Sequence, residues 1–261
     1  MKSLFYSVLA GLIILLYSCS EDNEQARLSI RLTDAPGEYQ EVLIDVQEVK
    51  VNYSGADDSG WKTLTSTKSG IYNLLDFTNG MDTLLADEYL VAGKISQMRL
   101  VLGDDNQIKV NDEYYELKTP SAQQSGLKFN IHADLEEGIT YRLWIDFDAG
   151  RSIIKKGNGD YSLKPVIRTY TDATSGAIKG NIKPVAAKPY MMAISANNDT
   201  LGTYADQETG FYMFAGAEPG IYMIKVKPVD GYLEKSIEGV EVSIGEVKEL
   251  EEIIIDEDTT Q

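Results

Sequence analysis

Ile139-Thr140-Tyr141-Arg142-Leu143-Trp144-Ile145-Asp146-Phe147-Asp148 sets Ile139, Tyr141, Leu143, Ile145 and Phe147 at every second position. Successive side chains of a strand point to opposite faces, so this is the period of a half-buried β-strand. The other face of the strand carries Arg142, Trp144, Asp146 and Asp148. The same period recurs upstream in Arg27-Leu28-Ser29-Ile30-Arg31-Leu32-Thr33, which ends at the turn Asp34-Ala35-Pro36-Gly37.

Between residues 42 and 53 the apolar positions are first even (Val42, Ile44, Val46) and then odd (Val49, Val51, Tyr53), which predicts a bulge near Gln47-Glu48 or a new strand there. Further strands are expected at 61–65, 71–77, 95–102, 107–111, 114–118, 127–132 and 161–170. Gly103-Asp104-Asp105-Asn106 reads as a hairpin turn, and a short helix is expected around Asp82 to Tyr89. Apolar residues vanish at Thr171-Asp172-Ala173-Thr174-Ser175-Gly176, which predicts a boundary. Beyond it, short strands at 177–182, 190–196, 201–205, 211–215, 220–227, 237–244 and 247–255 have the makings of a small β-sandwich. The expected fold is all-β, two β-sandwich domains in tandem over 27–171 and 177–256, joined by a linker at 172–176 and followed by a frayed tail at 257–261. Sixteen tyrosines and 22 glycines suit strands and turns.

The N-terminus addresses location. Leu4 to Tyr17 is a fourteen-residue run of apolar and small residues behind Lys2, shorter than the roughly 18–20 residues of a membrane span but suited to a signal-peptide core. Leu16-Tyr17-Ser18-Cys19 then resembles a bacterial lipobox, with residues 1–18 as the cleaved signal peptide and Cys19 as the lipidated new N-terminus. A second hydrophobic chain turns marginal membrane binding into stable anchoring, and a diacylated cysteine supplies two. Cys19 is the only cysteine, so no disulfide is available. Residues 19–26 form an acidic tether, and Ser20-Glu21-Asp22 resembles the surface-export signal of Bacteroides-lineage lipoproteins. Signal cleavage removes one base and no acid from a chain of net charge −17. Such a surface repels nucleic acid and anionic headgroups, so membrane attachment is expected through lipid alone.

Two resemblances cover most of the mature chain. Leu32-Thr33-Asp34-Ala35-Pro36, Arg99-Leu100-Val101-Leu102, Thr119-Pro120-Ser121, Asp146-Phe147-Asp148-Ala149 with Ser152-Ile153, and Leu163-Lys164-Pro165-Val166 resemble, in order and spacing, the lipoprotein family known as domain of unknown function 4382. That family implies no established activity. Gly180, Thr209-Gly210-Phe211-Tyr212, Pro219-Gly220-Ile221-Tyr222 and Gly231-Tyr232 resemble a carboxypeptidase regulatory-like, transthyretin-like sandwich. This second resemblance implies a spacer or interaction module.

Catalytic constellations are few. Zinc hydrolysis draws on histidine and cysteine ligands, whereas this chain has one of each, His132 and Cys19. No G-x-S-x-G elbow and no phosphate-cradling G-x-x-x-x-G-K-[ST] loop occurs. His132 itself reads as a solvent-facing strand residue. Paired carboxylates remain: Asp146 and Asp148 would sit roughly 7 Å apart on one strand face, near the separation a glycosidase uses. Trp144 could stack on a sugar, and Arg142 could orient a carboxylate. The bland alternative is a solvated strand face. The same acids, joined by Asp34, Asp104 and Asp105, could gather oxygens for a structural calcium. No other cofactor is expected.

The favoured expectation is therefore a non-enzymatic, lipid-anchored protein on the outer surface of a Gram-negative envelope, contacting glycan or protein through exposed aromatics. A carbohydrate-active hydrolase using Asp146 and Asp148, and a structural or pilus-like subunit, stand as alternatives.

Overall fold

The computed structural model describes residues 25–35, 37, 39–53, 60–119 and 126–259. The signal peptide, Cys19 and Ser20-Glu21-Asp22 lie outside the described residues, as does the side chain of His132.

The fold-deciding stretch becomes β10 (Thr140–Asp148). Its apolar residues Leu143, Ile145 and Phe147 are buried beside Leu28, Ile30 and Leu32 of β1 (Gln25–Ala35), with which it pairs in parallel. The first sheet has the order β13-β10-β1-β5, where β5 is Thr83–Val91 and β13 is Ile167–Thr171. Strand β5 replaces the helix expected around Asp82 to Tyr89. Ala86 pairs with Ile30 and Leu84 with Arg31, so Leu85 is a bulged extra residue. That insertion puts Leu84, Leu85 and Ala86 in a row and conceals the two-residue period.

The second sheet is built on β2 (Glu41–Asn52). Val46 pairs with Leu102 and Glu48 with Val101, so Gln47 is the bulge that moves the apolar set from even to odd positions. One edge of β2 pairs with β3 (Trp61–Thr63) and β4 (Gly70–Asn73), and the other with β6 (Gly93–Leu102) and β7 (Gln107–Val110). The turn at 103–106 is therefore not a hairpin: β6 and β7 run end to end along the same edge of β2. The gap between them is closed by Asn106, whose side-chain oxygen accepts the Asp45 amide at 2.9 Å. Strands β8 (Glu113–Lys118), β9 (Leu127–Leu135), β11 (Ile153–Lys155) and β12 (Tyr161–Leu163) complete this sheet. The single strand expected at 161–170 breaks at Pro165, which cannot donate to a ladder. There the chain crosses from β12 in one sheet to β13 in the other. Apolar residues between the two sheets form one buried core running from Ala26 to Leu163.

A second, separate core runs from Ile178 to Ile255. It lies between a sheet of β14 (Gly176–Lys183), β17 (Phe211–Ala217), β20 (Val247–Glu249) and β21 (Ile253–Ile254), and another of β15 (Tyr190–Ser195), β16 (Thr200–Tyr204), β18 (Gly220–Lys227) and β19 (Lys235–Val242). The molecule is thus two all-β sandwiches. The tail expected to fray is held at its start, where Glu257 bridges to Tyr232 and the Asp258 amide donates to the Gly231 carbonyl at 2.9 Å.

Candidate functional site at the junction of the sandwiches

The outer face of the first sheet is not solvated along its length. Register sets Trp144 between Arg31 and Tyr170, Asp146 between Thr33 and Arg168, and Asp148 beside Ala35. The second sandwich covers the Asp146 end of this face. Asp146 is 5% exposed and Asp148 8% exposed, which corrects the expectation of a solvated acidic strand. Burial of charge at this level demands partners, and each carboxylate has its own guanidinium. Arg168 Nε donates to Asp146 Oδ2 at 2.5 Å, and Arg151 Nε to Asp148 Oδ2 at 2.5 Å. Asp148 also caps the helical turn Ala149–Ser152 by accepting the Arg151 amide at 2.8 Å.

Arg168 pins the two sandwiches together. Its Nη1 donates to the Gly216 carbonyl at 2.8 Å and its Nη2 to the Ala215 carbonyl at 2.6 Å, both on β17. Beside it Trp144 stacks on Tyr170, the rings 5.4 Å apart and 1° from parallel, while the Trp144 indole N–H donates to Asp82 Oδ2 at 2.7 Å. Burial pushes the Tyr170 hydroxyl pKa far up, with the Asp146 charge adding to it. Gly216 has φ +64°, and a Cβ there would lie 2.4 Å from the Tyr170 ring, so only glycine lets β17 approach. A second pin is Asn79. Its side-chain oxygen accepts from Thr203 Oγ1 at 3.1 Å and the Met213 amide at 3.3 Å, and its Nδ2 donates to the Tyr204 carbonyl at 3.4 Å.

The remaining expected site residues are dispersed. Arg142 pairs with exposed Asp172 at 3.2 Å and not with Asp146 or Asp148, whose cations are Arg168 and Arg151. Trp144 has one face on Tyr170 and its N–H on Asp82, and its ring borders an opening of about 300 Å³ together with Tyr170, Met213 and Val247. Asp34 is on the core side of β1, where its Oδ1 accepts the Ala149 amide at 2.9 Å and its Oδ2 finds no partner among the described residues. Burial raises its pKa well above the ordinary aspartate value, and Asp146 and Asp148 push the same way. Asp104 and Asp105 are exposed on the 103–106 turn of the other sheet. Among the described residues, no three acidic, histidine or cysteine groups converge where they could hold a metal ion.

What the junction does leave open is a cleft with three lobes. A wide lobe of about 440 Å³ is bordered by Tyr170, Ser195, Asp199, Glu218 and Tyr222. A small recess of about 50 Å³ is bordered by Asp146, Asp148, Arg151 and Leu201. A narrow lobe of about 270 Å³ is bordered by Tyr39, Tyr190 and Tyr204. Arg151 lines all three. The Tyr190 and Tyr204 rings lie 4.9 Å apart at 51°, and burial raises the Tyr190 hydroxyl pKa, aided by Asp148 and opposed by Arg151. Sequence reasoning missed Arg151, Arg168, Asn79 and the tyrosines of this cleft. The Asn79-Gly80 pair is a turn signal, but nothing local tells that the turn reaches another sandwich.

Residues 25–165 match the family model described as domain of unknown function (DUF4382). The chain belongs to this family. The DUF4382 match ends before β13, so Arg168 and Tyr170 fall outside it, whereas Asp34, Asp146, Asp148 and Arg151 fall within. No curated protein matches the chain. Among solved structures, the Bacillus anthracis TIE protein is similar at 12% identity and a TM-score of 0.23, covering 90% of this chain, which spans 34% of that protein's length. The minor pilin GBS52 of Streptococcus agalactiae is similar at 10% identity and a TM-score of 0.28, covering 91% of this chain and 98% of its own. A C-terminal fragment of the pilus adhesin SpaC from Lactobacillus rhamnosus GG is 11% identical with a TM-score of 0.26, covering 90% and 99%. Likenesses at these scores establish no common role with the DUF4382 chain.

Proposed function

We propose that this chain is a non-catalytic binding protein, lipid-anchored through Cys19 on the outer surface of a Gram-negative envelope, with the cleft between its sandwiches as its ligand site and glycan as the ligand. The observation that carries this reading is the pairing of Asp146 with Arg168 and of Asp148 with Arg151 beside an open, tyrosine-bordered cleft. A glycosidase needs two carboxyl groups facing a sugar between them. Here the space bordered by both acids is the recess of about 50 Å³ beside Arg151, room for a water or two and not for a pyranose. The acids therefore serve as walls and pins. The second sandwich, in keeping with its likeness to regulatory-like modules, supplies the other wall. The reading requires no calcium.

A glycan array probed with residues 20–261, with and without calcium, tests the ligand class. Retention of particular glycans in both conditions is expected, and silence across the array sinks the glycan reading. A Cys19→Ala variant should leave the membrane fraction, and protease shaving of whole cells should remove the wild-type chain. Membrane retention of the variant would refute the anchor, and resistance to shaving would refute the outward face.

A further inference from the structure

We infer that the cleft takes a neutral oligosaccharide, with one sugar ring in the narrow lobe against Tyr190 and Tyr204 and the chain continuing past Arg151 into the wide lobe. This rests on the glycan reading above and assigns its site and specificity.

Shape comes first. The narrow lobe, about 270 Å³, lies near the lower end of the roughly 300–1,000 Å³ of small-molecule sites, and the wide lobe of about 440 Å³ lies within it. Both share Arg151, so a ligand longer than one ring can occupy the two together. Glycine keeps the narrow lobe open: a Cβ on Gly202 would lie 2.1 Å from the Tyr190 hydroxyl and force that ring from its seat. Tyrosine faces give an apolar platform with a polar edge and few rotatable bonds to immobilise, which suits the C–H face of a pyranose.

Only Nε of the Arg151 guanidinium is engaged, by Asp148, and the side chain is 55% exposed. Its two η-nitrogens have no acceptor among the described residues, and the side chain borders both lobes. Hydroxyls of a sugar chain passing there meet that demand.

Charge selects among sugars. Arg168 is cancelled by Asp146 and Arg151 by Asp148, while Asp199 and Glu218 of the wide lobe have no cationic partner among the described residues. The cleft therefore carries surplus negative charge on a chain of net charge −17, and a walled cleft concentrates such a field. Uronates and sulfated sugars are repelled. Neutral hydroxyls find donors at Arg151 and acceptors at Asp199 and Glu218.

The test is affinity electrophoresis and calorimetry of residues 20–261 with neutral polysaccharides (dextran, mannan, xylan), an oligouronate series and chitosan oligomers. Binding to at least one neutral series is expected, weakened about tenfold or more by Arg151→Ala or Tyr190→Ala, and unchanged by Arg27→Ala at the far end of the same sheet. Asp199→Lys, on an exposed loop, should leave the melting temperature intact and admit the uronates. It keeps the site testable should Tyr190→Ala fail to fold. Neutral binding indifferent to Arg151→Ala, Tyr190→Ala and Asp199→Lys would overturn the site while leaving the glycan reading standing. Tighter binding of uronates or chitosan by the wild-type chain would overturn the specificity. Absence of binding to every series would overturn the glycan reading itself.

Discussion

Replacing Arg168 with methionine keeps much of the side-chain bulk and removes the charge. Asp146, 5% exposed, is then left without its only cation, and the carbonyls of Ala215 and Gly216 lose their donors. Breaking one side of a buried pair costs about 3–5 kcal/mol because the surviving charge stays buried. The Arg168 side chain is 33% exposed, so water can reach part of the gap, and the lower end, about 3 kcal/mol, is expected. For a folded region of this length that is a fall of about 6–12 °C in melting temperature. Trp144 reports on the event, because its ring stacks on Tyr170 next to the pin, and in a Trp61→Phe background it is the only tryptophan left. Urea unfolding followed by its fluorescence should show an early transition as the junction opens. Adding Asp146→Asn should recover about 2 kcal/mol, since the stranded charge goes with it. A loss below about 0.5 kcal/mol for Arg168→Met, the level of an ordinary surface change, with unaltered Trp144 emission, would refute the claim that this pair holds the sandwiches together.

Asn79→Ala removes three hydrogen bonds to Thr203, Tyr204 and Met213 and places alanine at φ 54°. A loss of about 2–3 kcal/mol is expected, with Asn79→Gly milder by about 1 kcal/mol because glycine accepts that backbone freely, read from urea midpoints. Gly216→Val drives a branched side chain into the Tyr170 ring and should expose the 171–176 segment to limited proteolysis, while Gly157→Val, at a turn with nothing nearby and no positive φ, should not. Asp34 has its folded pKa raised by burial, so the folded state holds a proton that the unfolded chain releases. Its contribution is present below the ordinary aspartate value and is lost as pH rises through the folded pKa. Asp34→Asn should therefore be the more stable protein at neutral pH and show a flatter stability slope above pH 4, measured by melting across pH.

Two residues show how far the sequence could be read. Leu143 and Ile145 announce a half-buried strand because burial on one face imposes a period of two, and this local rule recovered β1, β10, the Gln47 bulge and nearly every strand of the second sandwich. Leu85 marks where it fails. A bulge adds one residue, three apolar side chains fall in a row, and a strand looks like a helical turn. Asp146 marks a different limit: polar alternation says which face a residue is on, while what covers that face is a matter of tertiary contact. Its partner Arg168 is 22 residues away in a strand that a proline had split off from the expected one. The site was legible as a set of residue types on β10, but its meaning depended on Gly216, Asn79 and Tyr190, which lie on other elements and have no local signal.

The end of the family match at residue 165 makes a final prediction from sheet geometry. A chain cut there keeps β10 but loses β13, which pairs with it from Leu143 to Phe147. β10 would then become the edge of its sheet, with a row of unpaired amides and carbonyls on a long strand carrying Trp144 and Ile145. An uncovered edge of that kind templates pairing with another copy. A chain cut after Thr174 retains β13, with Arg168 still across from Asp146, and so keeps both the ladder and the charge pair. The shorter piece should therefore form concentration-dependent oligomers by light scattering and melt lower than the longer one. The longer piece should stay monomeric, because its edge strand β13, the same edge as in the intact chain, is only five residues long and bears the Arg168 charge. If the two pieces proved equally monomeric and equally stable, β13 would be an appendage of the linker, and the first sandwich would end where the family match does.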